Sequence, residues 1–354
     1  MQMAWTPERP GNWLFHCHLI GHVSSALRFW KPADAASSEH AGHATHDPAT
    51  AMAGLVMGIR VTGEAAIPAT PATAGAAQKF ALVMRKYPGY WHPEDAYGFS
   101  LDSGDPGAQP PSTAVPGPLL VLHRNEPVEI TLKNELPEAT AIHWHGIELE
   151  SYFDGVPGWS GSSASTTPAI EPGGTFLVRF TPPRAGTFIY HTHAHDTRQL
   201  ANGLYGAIVV LEPGEHFDPA RDHVLLLGME GPKETRPEKY DRFPVVVNGS
   251  HTTQLTFKAG VPNRLRLINI TTNFFALNVS LIGNNQPIPW RAVAKDGADL
   301  LASQQTVRPA LAQQVSVGET YDFMVDPLQA GRMWVDVRRG SGEWVQQIPV
   351  RIVP

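Results

Sequence analysis

Val128-Glu129-Ile130-Thr131-Leu132-Lys133-Asn134 alternates apolar and polar residues along its whole length. Successive side chains of a strand point to opposite faces, so this pattern predicts a half-buried β-strand. The same texture extends outward on both sides. Between about Lys79 and Glu212, further strands are expected at 141–149, 175–180, 187–191 and 207–211. From Asp222 onward a second series is expected at 223–227, 244–247, 264–270, 322–325, 333–337 and 345–352. The chain carries 32 Gly and 32 Pro, which suits short strands separated by turns. No strand–helix–strand alternation interrupts the series. The spacing suits two packed-sheet sandwiches of roughly 130 residues each, an all-β architecture.

Upstream of these, Asn12-Trp13-Leu14-Phe15-His16 and Gly54-Leu55-Val56-Met57-Gly58-Ile59-Arg60-Val61 also predict strands. Residues 31–50 are low in complexity and read as a loop, and 63–77 are rich in Ala, Pro and Thr, as linkers are. The expected division is therefore 1–62, a linker at 63–77, a sandwich at 78–215 and another at 216–354.

With 354 residues, 42% of them hydrophobic and 17% charged, the chain can bury several cores. A net charge of −6 gives nucleic acid no electrostatic footprint. No apolar run is long enough to span a bilayer, so no membrane partner is expected. The first residues carry no basic-then-apolar signal pattern. The single cysteine, Cys17, excludes an intrachain disulfide and reads as a ligand.

The chemistry-bearing residues are histidines in pairs. His143-Trp144-His145 and His191-Thr192-His193 each place two imidazoles two residues apart, on one face of a strand. His16-Cys17-His18 repeats the spacing, with Cys17 expected on the opposite face, and His22 follows. Three such pairs supply six imidazoles, more than one zinc ion takes. Imidazole serves zinc, copper, iron or nickel, but a thiolate among histidines points to blue copper. A binuclear zinc hydrolase built on His191, His193 and His195 is the competing reading. It leaves Cys17 and His143 unexplained, and the Asp of that motif precedes its last His, whereas Asp196 here follows His195.

Taken together, these motifs resemble those of the multicopper oxidases, laccases included. The resemblance rests on His143-Trp144-His145-Gly146, Tyr190-His191-Thr192-His193 and His16-Cys17-His18-Leu19-Ile20-Gly21-His22. Pro116-Gly117-Pro118, Asp154-Gly155-Val156-Pro157, Gly203-Leu204-Tyr205-Gly206, Val247-Asn248-Gly249 and the run from Arg264 to Asn269 add to it. It implies tandem cupredoxin-like Greek-key sandwiches, two complete plus the C-terminal part of a third at the N-terminus. It also implies copper of type 1, type 2 and the binuclear type 3. On matched positions, Cys17 and His22 would bind type 1 copper. His16, His18, His145, His191 and His193 would bind the type 3 pair, and His143 the type 2 ion. Asp154 would support proton delivery. The implied reaction is one-electron oxidation of phenols or similar small reductants coupled to reduction of dioxygen to water, in the periplasm or outside the cell.

The chain departs from that family in three ways. The His-Cys-His motif comes first rather than last, as in a permuted domain order. The motif His-Pro-x-His-Leu-His-Gly is absent. The expectation is that Met1 lies within a longer gene, or that another chain or a second copy completes the first domain. Without that, a copper-binding remnant with no turnover is the alternative. Third, the axial position of type 1 copper falls on Leu27 or Leu55, with Met52 nearby. His40, His43 and His46, in the inserted loop, are read as solvated. His92, His123, His216, His223 and His251 are read as ordinary surface or structural residues.

Overall fold

The computed structural model describes residues 4–18, 23, 55–63, 77–91, 94–102, 115–194, 196–231, 245–271, 276–305, 307–308, 313–327 and 329–354. The first two strands, β1 (Gly11–His16) and β2 (Val56–Val61), pair antiparallel as a two-stranded sheet. Next come β3 (Gln78–Tyr87), β4 (Ala96–Leu101), β5 (Gly117–His123), β6 (Val128–Asn134), β7 (Ile142–His145), β8 (Thr175–Phe180) and β9 (Gly186–Thr192). A short helix, α1 (Asp196–Asn202), precedes β10 (Tyr205–Leu211). These strands form two four-stranded sheets, β4-β3-β6-β8 and β5-β10-β9-β7, packed face to face.

The last part runs through β11 (Asp222–Met229), β12 (Val245–Val247), β13 (Leu255–Lys258), β14 (Asn263–Asn269), β15 (Ala276–Gly283) and β16 (Gln286–Pro287). It continues with β17 (Trp290–Lys295), β18 (Ala298–Asp299), β19 (Val307–Arg308), β20 (Gln313–Ser316), β21 (Thr320–Val325), β22 (Gly331–Arg339) and β23 (Trp344–Val353). One of its sheets is ordered β12-β11-β14-β21-β17-β18 and the other β13-β23-β22-β15-β16. Both sandwiches mix antiparallel neighbours with parallel ones, β3 with β6, β5 with β10, β11 with β14 and β13 with β23. A parallel pair cannot be joined by a tight hairpin, so the chain crosses between sheets, as Greek-key sandwiches do.

The alternation in β6 is realised in the core. Val128, Ile130 and Leu132 are buried while Glu129, Thr131 and Lys133 face outward. Each buried aliphatic contributes about 1.5–3 kcal/mol relative to exposure. The last inward position, Asn134, is polar and fully satisfied. Its Nδ2 donates to the carbonyls of Glu138 and Ile170, and its Oδ1 accepts from the Leu136 amide.

β10 breaks the half-buried pattern, since all seven of its residues are buried. Ile208 and Val210 point into the core of their own sandwich, while Tyr205 and Ala207 join a second apolar cluster with Leu226, Val246 and Ile268. Both faces of this strand are thus covered, one by each sandwich. A polar link reinforces that junction. Thr187 Oγ1 donates to Asp322 Oδ1 (2.7 Å) and accepts from Arg266 Nη1 (2.9 Å). Arg266, itself buried, holds Asp222 with two hydrogen bonds of 2.6 and 2.8 Å. A buried charge needs such partners to avoid a large desolvation cost.

The expected strand at 141–149 is shorter in the structure, Ile142–His145, because the chain turns at Gly146 with φ +85°. Helix α1 was not expected. It is short, and its register with the sheet is set by tertiary contacts rather than by an apolar stripe.

Candidate metal centre

Strand parity decides which way the histidines face. Ile142 and Trp144 of β7, and Phe188 and Tyr190 of β9, point into the sandwich core. His143, His145, His191 and His193 therefore project from the opposite face of that sheet. On the same face of β9 lie Thr187 and Ile189, which meet the last sandwich. In the β7–β9 register His143 stands opposite His191.

The first segment reaches this face through β1. Asn12 donates from Nδ2 to the Trp159 carbonyl and from its amide to the Gly161 carbonyl, and Ser151 Oγ donates to the Asn12 carbonyl. At Gly11 and Gly58 any side chain would collide with Ser151 and Trp159, so close approach requires glycine at both. β1 ends at His16, and residues 17–18 leave the strand while the Cys17 amide donates to the Leu55 carbonyl (3.1 Å). The strict strand alternation expected for His16-Cys17-His18 therefore stops at His16.

Six imidazoles converge. Ring centroids are 5.2 Å apart for His16 and His18, 5.8 Å for His16 and His193, and 4.8 Å for His18 and His145. His143 lies 5.4–5.5 Å from the rings of His145, His191 and His193. The candidate ligand nitrogens of His143, His145 and His191 lie within 4.8 Å of one another.

Hydrogen bonds orient the rings. Nδ1 of His16 meets the Cys17 carbonyl at 3.1 Å, and Nδ1 of His18 meets that of Val317 at 3.1 Å. Nδ1 of His143 meets the Asp154 carbonyl at 2.6 Å, and Nδ1 of His191 that of Thr192 at 2.7 Å. A carbonyl only accepts, so each of these rings carries its proton on Nδ1 and leaves the Nε2 lone pair available. Asp154 Oδ1 stands 3.3 Å from His143 Nδ1.

The electrostatics match. Burial, with repulsion from neighbouring rings, lowers His16 and His193 to about 4 and also pulls down His18, His145 and His191. Neutral imidazoles at neutral pH are the form that binds a metal. Burial would raise the Asp154 carboxyl, but His143, His193 and the Ser160 hydroxyl together hold it below its ordinary value. The donor set, six imidazoles beside one thiol, fits copper.

The structure thus brings together His16, His18, His143, His145, His191 and His193, with Cys17 and Asp154 adjoining. His22, Leu27, Met52, His195 and the histidines at 40, 43 and 46 lie outside the described residues. Leu55 touches the Cys17 amide through its carbonyl, while its own side chain is exposed. Two supports escaped the sequence reading. Gln199 of α1 accepts at Oε1 from Thr140 and Thr192, both at 2.7 Å, and so holds the residue between His191 and His193. The Val317 carbonyl holds His18. Neither stands in a metal-ligand pattern.

The fold defines a cupredoxin-like protein of stacked β-sandwiches, and the comparisons narrow this. Residues 112–215 match the family model for multicopper oxidase. Copper resistance protein A homolog of Pseudomonas syringae pv. tomato is 41% identical over 115 residues, 32% of this chain and 18% of that protein. Laccase-1 of Emericella nidulans is 40% identical over 106 residues, 29% of this chain and 16% of that protein. The crystal structure of a multi-copper oxidase from Pseudomonas thermotolerans superposes with TM-score 0.62 at 25% identity, covering 79% of this chain and 64% of that one. Blue copper oxidase from Nitrosomonas europaea shares the fold, with TM-score 0.57 at 21% identity over 78% of this chain and 86% of that one. The chain thus carries, at residues 112–215, a segment that matches the multicopper oxidase family. The matches to curated relatives span less than a fifth of those proteins' length.

Proposed function

We propose that the chain acts as a laccase-like oxidase, taking single electrons from phenolic or similar small reductants and passing them to dioxygen, which is reduced to water. The observation that carries this reading is the convergence of three His-x-His segments with a cysteine inside one of them. Copper cycles between two oxidation states and so supplies one-electron chemistry that zinc lacks. In this reading Cys17, with His22, holds type 1 copper. His16 and His18 flank it in sequence, so covalent bonds join the thiol to both rings. They hold the type 3 pair with His145, His191 and His193, and His143 holds type 2. Asp154, beside His143, keeps a carboxylate where protons must arrive.

The chain is read as units at 1–62, 78–215 and 216–354, with a linker at 63–77 between the first two, in the periplasm or outside the cell. No helix among the described residues is long and apolar enough to cross a membrane.

One observation favours a second reading, copper binding without turnover. Among the described residues β1 and β2 form only a two-stranded sheet, with Phe15, Leu55 and Met57 exposed. Two strands alone bury little. Another chain or a second copy covering them would supply the rest of that domain. The zinc hydrolase reading is not favoured, since His16, His18, His143 and His145 share the cluster with His191 and His193.

Copper per chain, absorbance in the blue thiolate band and oxygen uptake with a phenol test the proposal. A stoichiometric blue protein that consumes oxygen upholds it. Copper bound without uptake supports the second reading, and bound zinc with hydrolysis overturns both.

A further inference from the structure

His18 is held by a turn 299 residues away. Its Nδ1 donates to the Val317 carbonyl at 3.1 Å. The next residue, Gly318, has φ +81°, and a Cβ there would collide with Nδ1 and the adjoining ring carbons of His18. The Nδ1 edge of the ring therefore sits against a stretch of backbone that tolerates no side chain.

That backbone is itself anchored. The Gly318 amide donates to the Asn269 carbonyl at 2.8 Å, and the Asn269 amide donates to the Glu319 carbonyl at 3.1 Å. Asn269 Nδ2 donates to the Val315 carbonyl at 2.9 Å, and Asn269 is fully buried. Glu319 Oε2 accepts from the Ser316 amide at 2.7 Å, while Oε1 pairs with Lys295. Each end of the turn is thus tied to the sheet of β14 and β21.

We propose that Val317-Gly318 is the seat that fixes the His18 ring, making Gly318 a positioning residue for the histidine cluster. The last sandwich then has a task in the metal centre although it supplies none of its candidate ligands. The physical reason is tautomer and angle. The Val317 carbonyl keeps the proton on Nδ1, and the bare α-carbon of Gly318 lets the ring settle beside those of His16 and His145, with centroids 5.2 and 4.8 Å away, its Nε2 lone pair left available. Supports of this kind change metal affinity about 10- to 100-fold when removed. The consequence for copper rests on the reading of His18 as a copper ligand.

The test uses the full chain, first metal-free and labelled at the histidine nitrogens, then titrated with copper ion alone. In the wild type His18 should give a slowly exchanging Nδ1 proton, assigned by its loss in His18→Ala. Gly318→Ala and Gly318→Asn should lose that signal and bind copper about 10- to 100-fold more weakly. Asn accepts positive φ more readily, so it separates collision from backbone strain. Gly260→Ala is the control, since its φ is +73° and a Cβ there meets nothing within 4 Å. It should keep both properties. Gly318 variants that retain the signal and wild-type affinity would overturn the seat. If the signal is lost while both Gly318→Ala and His18→Ala bind copper normally, the seat stands and the assignment of His18 as a ligand fails.

Discussion

His143 stands directly opposite His191 in the antiparallel register of β7 and β9, with ring centroids 5.4 Å apart. Directly opposed residues are the closest neighbours a sheet offers, so this register brings two His-x-His pairs to one patch. The pairing is fixed from behind, where Trp144 and Tyr190 stack in the core. A slip of β9 by one residue would turn its own histidines inward.

Cys17→Ser should abolish the blue absorbance and phenol oxidation while leaving the thermal unfolding of the two sandwiches unchanged. Serine offers no thiolate to copper, and Cys17 lies outside the three apolar core clusters. Retained oxidation would refute the role given to Cys17.

Thr187→Val tests the polar junction between the sandwiches. It leaves Asp322 Oδ1 without its hydroxyl donor and Arg266 without one acceptor, both in buried surroundings. A buried group left unpaired costs about 1–3 kcal/mol, which denaturant unfolding would register as a lower midpoint. Since Thr187 shares a strand face with His191, weaker copper binding should accompany the loss.

Gln199→Leu should destabilise by a similar amount, about 1–3 kcal/mol. The hydroxyls of Thr140 and Thr192 would lose their common acceptor. Copper per chain should fall as the backbone between His191 and His193 loosens. Unchanged copper content would mean that Gln199 stabilises the loop without orienting the ligands.

His223 supplies an acid-sensitive term away from the cluster. Its ring stacks on Phe257 at 4.6 Å, and burial lowers its pKa below the ordinary 6.5. Above that value both folded and unfolded chains hold it neutral, so it contributes nothing to pH dependence. As pH falls below 6.5 the unfolded chain takes up a proton that the folded one resists, and stability is lost until the folded ring also titrates. His223→Gln should therefore flatten the decline of unfolding free energy between neutral and mildly acidic pH. An unchanged slope would remove His223 as a source of it.

The sequence by itself determined the strand character, the three His-x-His segments and the cysteine between two of the histidines, because period-two alternation and ligand spacing are local properties. Strands β6 and β8 lie where the residues alone put them. It also carried the family resemblance, through motifs that stand intact at 143–146, 190–193 and 16–22. Tertiary structure decided what those segments share. Which face of β7 and β9 bears the histidines follows from what covers the other face. The approach of His16 and His18 depends on glycines that allow β1 to rest against Ser151 and Trp159. The ring of His18 is aimed by Val317 and Gly318, 299 residues away. Contacts across such separations leave no periodic trace in a chain, so only the folded arrangement reveals them.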